Sequence, residues 1–452
     1  MTTGRADRAG SCALVGAGEF GATFAAQVRR IPSLRLDVIC DRDVERALRV
    51  ARANRDAGDV VSCDSRAAAL AAIEAGKLVV VADPELLRDL PLKMVVEATG
   101  DPRFAAMLMT LAQDSGYNTT LATKEAESVV GPILARRAKA RGLVHTPVEG
   151  DQPSLLIGLV NRARALGLPV VTAGKAGESD YVYDPAQRSL TAWGRTVELH
   201  DEAAFRLLDG DVSRLAARVH PQLETSTPPD LCEMGVVANH TGLMPDTPGL
   251  HFPVAHTTEL PSIFRPRSEG GLLEKSGIVD GFICMRRPDE LSFAGGVFVV
   301  VEAPDQATGR LLASKGIPGS PDGRYLLLHN PVHLLGVEAP ISVMAALGEG
   351  RSTGGPDVAP HTDLVAVAKR DFAVGERFEL GARHTLPDIE ARLQPAAALG
   401  MDSPVPYYLS VGAEVVRAVK AGAMVTGGDL AIDQQNPLLT LRREQDAAFF
   451  GA

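Results

Sequence analysis

The sequence predicts an α/β protein in three parts, the first of them a doubly wound, mostly parallel sheet. Three observations carry this. Strand-like apolar runs alternate with helix-like stretches from Ser11 to about residue 175, the spacing of repeated strand–helix units. A glycine-rich turn, Gly16-Ala17-Gly18-Glu19-Phe20-Gly21, follows the first of those runs. After the polar GEGRSTGGPD stretch at 348–357 the texture changes to short alternating pieces separated by turns. The expected segments are 1–147, 148–355 and a small, β-rich 356–452.

Each element follows from its pattern. SCALV at 11–15 reads as a strand, and the apolar-periodic 20–31 as a helix ending near Pro32. LRLDVICD, KLVVVAD and MVVEATG are further strands, with helices around 43–55, 64–75 and 103–116. NTTLATKEA is a strand entering a turn, and GLVHTPVEGDQP a strand entering a polar loop before the helix SLLIGLVNRARALG. LPVVTAGK at 168–175 ends in another polar turn. Residues 176–290 read as irregular, the texture of binding loops over a scaffold. Strands are expected again near 293–302 and 324–328. In the last part AKRDFAVGERF and VKAGAMVTGGDL have strand-turn-strand character.

Composition narrows the classes. A net charge of -10 repels nucleic acid and anionic lipid. Five cysteines at 12, 40, 63, 232 and 284 fit neither a disulfide framework nor a zinc knuckle, and Cys12 and Cys40 fall in apparent buried strands. No apolar run reaches the roughly 18 residues of a bilayer span, and MTTGRADRAG is no signal peptide. The expectation is a cytoplasmic protein without nucleic-acid or membrane partners.

The glycine turn between a strand and a helix is the dinucleotide fingerprint of a Rossmann domain. Gly16 allows the turn, Gly18 admits a pyrophosphate to the backbone, and Gly21 permits close helix packing. Asp41 ends the second strand about 20 residues after Gly21, where a carboxylate binds ribose hydroxyls. Asp41 favours NAD; Arg42 and Arg46 could hold the 2′-phosphate of NADP, so both coenzymes stay open. Ala98-Thr99-Gly100 and Lys124 end later strands and should face the same ligand.

Three segments offer the donors and proton carriers that a hydride reaction needs. Glu149 and Asp151 follow one strand; Lys175, with Glu178, follows another, in a chain with only nine lysines. Glu233, Asn239 and His240 lie in the irregular stretch, and Lys275 could meet a phosphate. A capping acid, a solvated lysine or a packed histidine is the alternative at each.

These motifs resemble a known group. GAGEFG, VVEATG and ATKEA with Lys124 are similar to the homoserine dehydrogenase family, whose pattern places a proton-transferring lysine after the substrate-domain start, Lys175 being the nearest match in order. With the AGK segment at 173–175 and the C-terminal part, the chain looks closest to the 1-deoxy-D-xylulose 5-phosphate reductoisomerase-like (DXR-like) proteins. AKRDFAVGERF and KAGAMVTGGDL resemble the SAF module of antifreeze proteins and sialic acid synthases. The resemblance implies NADPH, Mg²⁺ or Mn²⁺ on acids such as Glu149, Asp151 and Glu233, and a homodimer. It also implies conversion of 1-deoxy-D-xylulose 5-phosphate to 2-C-methyl-D-erythritol 4-phosphate. Lys124, Lys175 and Lys275 would then serve the phosphate or a developing oxyanion. Two other readings stand beside it: a dehydrogenase of another small polyol, hydroxy acid or aldehyde without rearrangement, and a nucleotide-binding regulator.

Overall fold

The computed structural model describes residues 10–199 and 205–451. Apart from Gly10, the polar opening stretch lies outside the described residues. The first sheet contains β1 (Ser11–Val15), β2 (Arg35–Cys40), β3 (Val60–Ser62), β4 (Leu78–Val81), β5 (Met94–Glu97), β6 (Asn118–Leu121) and β7 (His145–Pro147). Between them run α1 (Glu19–Val28), α2 (Val44–Asn54), α3 (Arg66–Glu74), α4 (Pro102–Asp114) and α5 (Lys124–Ala140). The order is β3-β4-β2-β1-β5-β6-β7, parallel throughout. The chain winds away from β1 in one direction and returns to β5 on its other side. Ligands of such sheets bind beyond the strand C-termini at that reversal. Cys12 and Leu14 enter one apolar layer, Ala13 and Val15 the other. Strands covered on both faces read as continuous apolar runs, hence the strong sequence signal.

After α6 (Gln152–Ala165) comes the second sheet: β8 (Val170–Ala176), β9 (Tyr181–Asp184), β10 (Ser189–Ala192) and β11 (Arg195–Glu198). Next are α7 (Pro228–Thr241), β12 (Met244–Pro245), β13 (Val254–Ala255), α8 (Leu260–Ile263), β14 (Ile278–Arg286), β15 (Val297–Glu302), α9 (Gln306–Ser314), β16 (Tyr325–Asn330) and α10 (Pro340–Glu349). The main path is β11-β10-β9-β14-β8-β15-β16. The stretch expected to be irregular therefore holds the buried helix α7 and the long strand β14. Helix α7 starts with a capping box, Thr227 with Asp230, and a proline in its first turn. β14 is buried almost from end to end and lacks the alternation that marks a half-exposed strand.

Helix α10 returns to the first sheet. Ala339, just before it, and its Val343 and Ala346 share an apolar layer with Leu14, Phe24 and Val96. The turn ahead of it, Leu335–Val337, packs on α1, and a Cβ at Gly336 would stand 2.2 Å from the Phe20 carbonyl oxygen.

The last part carries β17 (Thr362–Ala368) antiparallel to β18 (Ile389–Pro395), the short pair β19 (Glu414–Val415) and β20 (Leu430–Ala431), and α11 (Pro437–Phe449). The expectation of a β-rich segment needs correcting at its end, since α11 packs on α4 and α5. Beside Pro132 in α5, the Gln445 amide accepts from the Ile133 N–H (3.2 Å) and donates to the Val129 carbonyl (3.2 Å). The wholly buried Arg442 donates to both oxygens of Asp363 (2.6 and 2.8 Å) and to Asp446 (2.7 Å), tying β17 to α11. Among the described residues no helix is long and apolar enough to cross a membrane.

Candidate active site

The glycine turn is shaped by contact and by space. Gly16 has φ +101°, and a Cβ there would lie 2.3 Å from the Ala98 carbonyl oxygen. A Cβ at Gly21 would meet the Gly16 carbonyl oxygen at 2.0 Å. Gly18 is different: nothing lies within 4 Å of its missing Cβ, so the glycine keeps room for something outside the chain. Gly18 also caps α1 without a side-chain hydrogen bond, leaving the first N–H groups of the helix for an anion. These residues fit a dinucleotide. Asp41 accepts from the Ala17 N–H (2.7 Å) and the Asp43 N–H (2.8 Å), which sets its carboxylate under the turn. Arg46 is engaged by Asp43 at 3.2 Å, while Arg42 is exposed.

A cleft of about 440 Å³ opens at the sheet reversal. Gly18, Glu19 and Phe20 form one wall; Ala98, Thr99, Gly100 and Lys124 form the floor. Glu97, fully buried at the end of β5, organises that floor. It accepts from Thr99 N–H (2.7 Å), Thr99 hydroxyl (2.5 Å), Thr123 N–H (3.0 Å) and Thr123 hydroxyl (2.9 Å). Burial raises its pKa despite these bonds. Asp151 and Glu178 also reach the cleft, Glu178 at its exposed edge.

Behind the floor stands a bridged pair of ammonium groups. Glu233 on α7 accepts from Lys124 with one oxygen and from Lys175 with the other. Lys175 also donates to Asp230 at 2.6 Å, and Asp230 caps α7 through the Thr227 N–H (2.8 Å) and hydroxyl (2.7 Å). Burial opposes charge on both lysines, but the carboxylates prevail. Asp151, Glu233 and Glu125 hold Lys124 well above its ordinary value, and Asp230 and Glu233 hold Lys175 at about 12. Burial would raise Glu233, yet the two lysines keep it below the usual carboxylate range. Lys175 is enclosed, whereas the Lys124 side chain is 20% exposed and lines the cleft. The charged form is therefore presented by Lys124.

Several expected site residues lie elsewhere. Asn239 accepts from the His361 and Thr362 N–H groups (both 2.8 Å), pinning β17 to α7. His240 is buried between Gly354 carbonyl oxygen (2.8 Å) and Glu127 (2.9 Å). Lys275 sits on an exposed turn ahead of β14 and does not line the cleft. Glu149 packs beside Ser154, Glu338 and Arg351. Glu149, Asp151 and Glu233 thus do not converge as metal ligands, and both Glu233 oxygens are occupied by lysines. Among the described residues no cluster of three or more histidines, cysteines or acids could hold a metal ion. Sequence reasoning missed Asp230, Glu97 and Glu127, and also Arg383, His384 and Trp193, which line the cleft from far along the chain. The capping box at Thr227 was the available signal for Asp230.

Residues 150–339, which contain Lys175, Asp230 and Glu233, match a family model described as the catalytic domain of oxidoreductase DRL. The part of the chain that holds these three residues is thus similar to an oxidoreductase catalytic domain. No curated protein matches the chain. Among solved structures it is similar to an oxidoreductase from Agrobacterium radiobacter in complex with NAD+, L-tartaric acid and magnesium. That likeness has 16% identity and TM-score 0.27, over 37% of this chain and 44% of that one. A DOX-P reductoisomerase with fosmidomycin and magnesium shows 17% identity and TM-score 0.28, over 37% and 46%. UDP-N-acetylglucosamine 3-dehydrogenase from Acidithiobacillus ferrooxidans shows 13% identity and TM-score 0.36, over 75% and 89%. The chain spans less than half the length of the first two.

Proposed function

We propose that this protein is an oxidoreductase that moves a hydride between NAD(H) and a small hydroxylated or carbonyl substrate, with Lys124 serving the substrate oxygen. The observation that carries the reading is Lys124, an ammonium held in its charged form and open to the cleft while Glu233, which binds it from behind, is enclosed. When bound, the nicotinamide supplies the hydride donor or acceptor. Lys124 donates a hydrogen bond and then a proton to the oxygen of a carbonyl, or stabilises the alkoxide in the reverse direction. Glu233 and Asp151 hold that ammonium in place. Lys175 balances the charge of Glu233 and Asp230 without touching the substrate. Glu97 fixes the two loops beneath the nicotinamide end.

The coenzyme reading favours NAD(H). Asp41 and Asp43 stand at the end of β2, and Asp64 and Asp83 line a second cleft of about 450 Å³ beyond β3 and β4. A 2′-phosphate would enter this acidic field with Arg46 already engaged. A second reading, reductoisomerisation of 1-deoxy-D-xylulose 5-phosphate, is supported by the match of residues 150–339, although the acids expected to hold its metal do not converge.

Both are tested by following oxidation of NADH and NADPH with 1-deoxy-D-xylulose 5-phosphate and with small aldehydes, keto acids and ketoses. Each assay is run with and without Mg²⁺, and products are identified by NMR. Reduction with an unchanged skeleton and a preference for NADH is expected. Methylerythritol phosphate as product would replace this reading with the second.

A further inference from the structure

The C-terminal module reaches the cleft through one loop. Arg383 and His384 line the cleft mouth, and both are non-glycine residues in left-handed backbone, at φ 51° and 53°. Two such residues in succession are costly, and this strain persists only where surrounding structure enforces it. Two buried tyrosines enforce it here. Tyr407 hydroxyl accepts from the Leu386 N–H (2.6 Å), and Tyr408 hydroxyl donates to the His384 carbonyl oxygen (3.2 Å).

The side chains are placed as unevenly as the backbone. The Arg383 guanidinium lies 4.5 Å from the centre of the Trp193 ring. Among the described residues it makes no hydrogen bond, and its nearest carboxylate, the exposed Glu224, is 3.8 Å away. A flat, cation-bearing fork stacked on an aromatic ring with its donors unspent matches a planar carboxylate or a phosphate face. His384 stands beside it, its Nδ1 3.1 Å from Glu125 in an ion-pair contact whose angle falls short of a hydrogen bond. Of the carboxylates that line the cleft, Glu19 and Glu178 are the exposed ones, and neither is paired with Arg383.

We propose that Arg383 and His384 bind an anionic group of the substrate, a carboxylate or a phosphate, and thereby hold its reacting carbon over Lys124. The C-terminal module is then a substrate-recognition element. This deepens, and rests on, the hydride-transfer reading, because it places the anion in the same cleft as the nicotinamide.

Trp193 is the chain's single tryptophan and reports on the contact directly. The full chain is titrated with inorganic phosphate and separately with malonate while Trp193 emission is followed, with saturating NAD+ and without it. NAD+ fills the glycine turn, the other place where an anion could settle. In the NAD+ complex at least one anion is expected to change emission saturably, and the better anion names the group recognised. Arg383→Ala should weaken that response at least tenfold, Arg383→Lys less, with NAD+ affinity unchanged within about twofold. No saturable response to either anion, or the same midpoint in Arg383→Ala, would overturn the proposal. Failure of NAD+ to bind would strike the coenzyme reading instead, and the comparison of variants without NAD+ still decides the anion site.

Discussion

Glu149→Gln should stabilise the protein in mild alkali and leave it unchanged in mild acid. Burial, and next the Glu338 carboxylate, push the Glu149 carboxyl from 4.5 up to about 7, against the Ser154 hydroxyl and Arg351. The folded protein thus holds this proton more firmly than the unfolded chain. The stability tied to the protonated form is complete below about pH 4.5 and is lost as pH rises through 7. A tenfold change in acidity is about 1.4 kcal/mol, so the whole shift corresponds to about 3 kcal/mol, and partial solvent access reduces this to ~2 kcal/mol. Glutamine has the shape of the neutral acid at every pH. Equilibrium urea unfolding of both proteins, followed by circular dichroism, should show little difference at pH 4 and a gain of ~2 kcal/mol for the variant at pH 8. Taking the difference between proteins cancels the titration of every group that is not coupled to Glu149 as Glu338 is. An equal difference at the two pH values, or a less stable variant at pH 8, would refute the reasoning.

Lys124→Met should lower kcat at least a hundredfold while NADH affinity stays within a few-fold, read by steady-state kinetics and coenzyme titration. Gly18→Ala should melt with the parent protein, since no atom crowds that position, yet raise the NADH dissociation constant about tenfold. Glu127→Gln should cost ~3 kcal/mol at neutral pH, because the buried carboxylate joins His145 (3.0 Å) to His240 (2.9 Å). Burial would raise the Glu127 pKa, but the two imidazoles hold it well below the ordinary range. That stabilisation is present above about pH 4.5 and fades as pH falls, so the penalty measured by urea unfolding should shrink in acid.

Much of the first, parallel-sheet unit was legible in the sequence because its signals are local. GAGEFG, Asp41 and the strand-end Lys124 each depend on neighbours within a single strand–helix unit. The cluster behind the cleft floor is not local. Glu233 joins Lys124 to Lys175 across long stretches of chain, and no spacing rule encodes that meeting. Asn239 and His240 looked catalytic while α7 was taken for loop; on the helix they point to β17 and Glu127 instead. Lys275 was chosen by residue type, and type alone says nothing about the end of β14 on which it falls. Helix α11 escaped because its packing partners, α4 and α5, lie at the other end of the sequence.

The return of α10 to the first sheet has a consequence for synthesis. A ribosome releases the chain from its N-terminus, and domains generally fold as they emerge. Here Val343 and Ala346 must cover the same layer as Phe24, so the first unit cannot close until the second has been made. The strands of the second sheet are therefore all made before the first unit is complete, and the spacing between the two sheets is set when α10 docks.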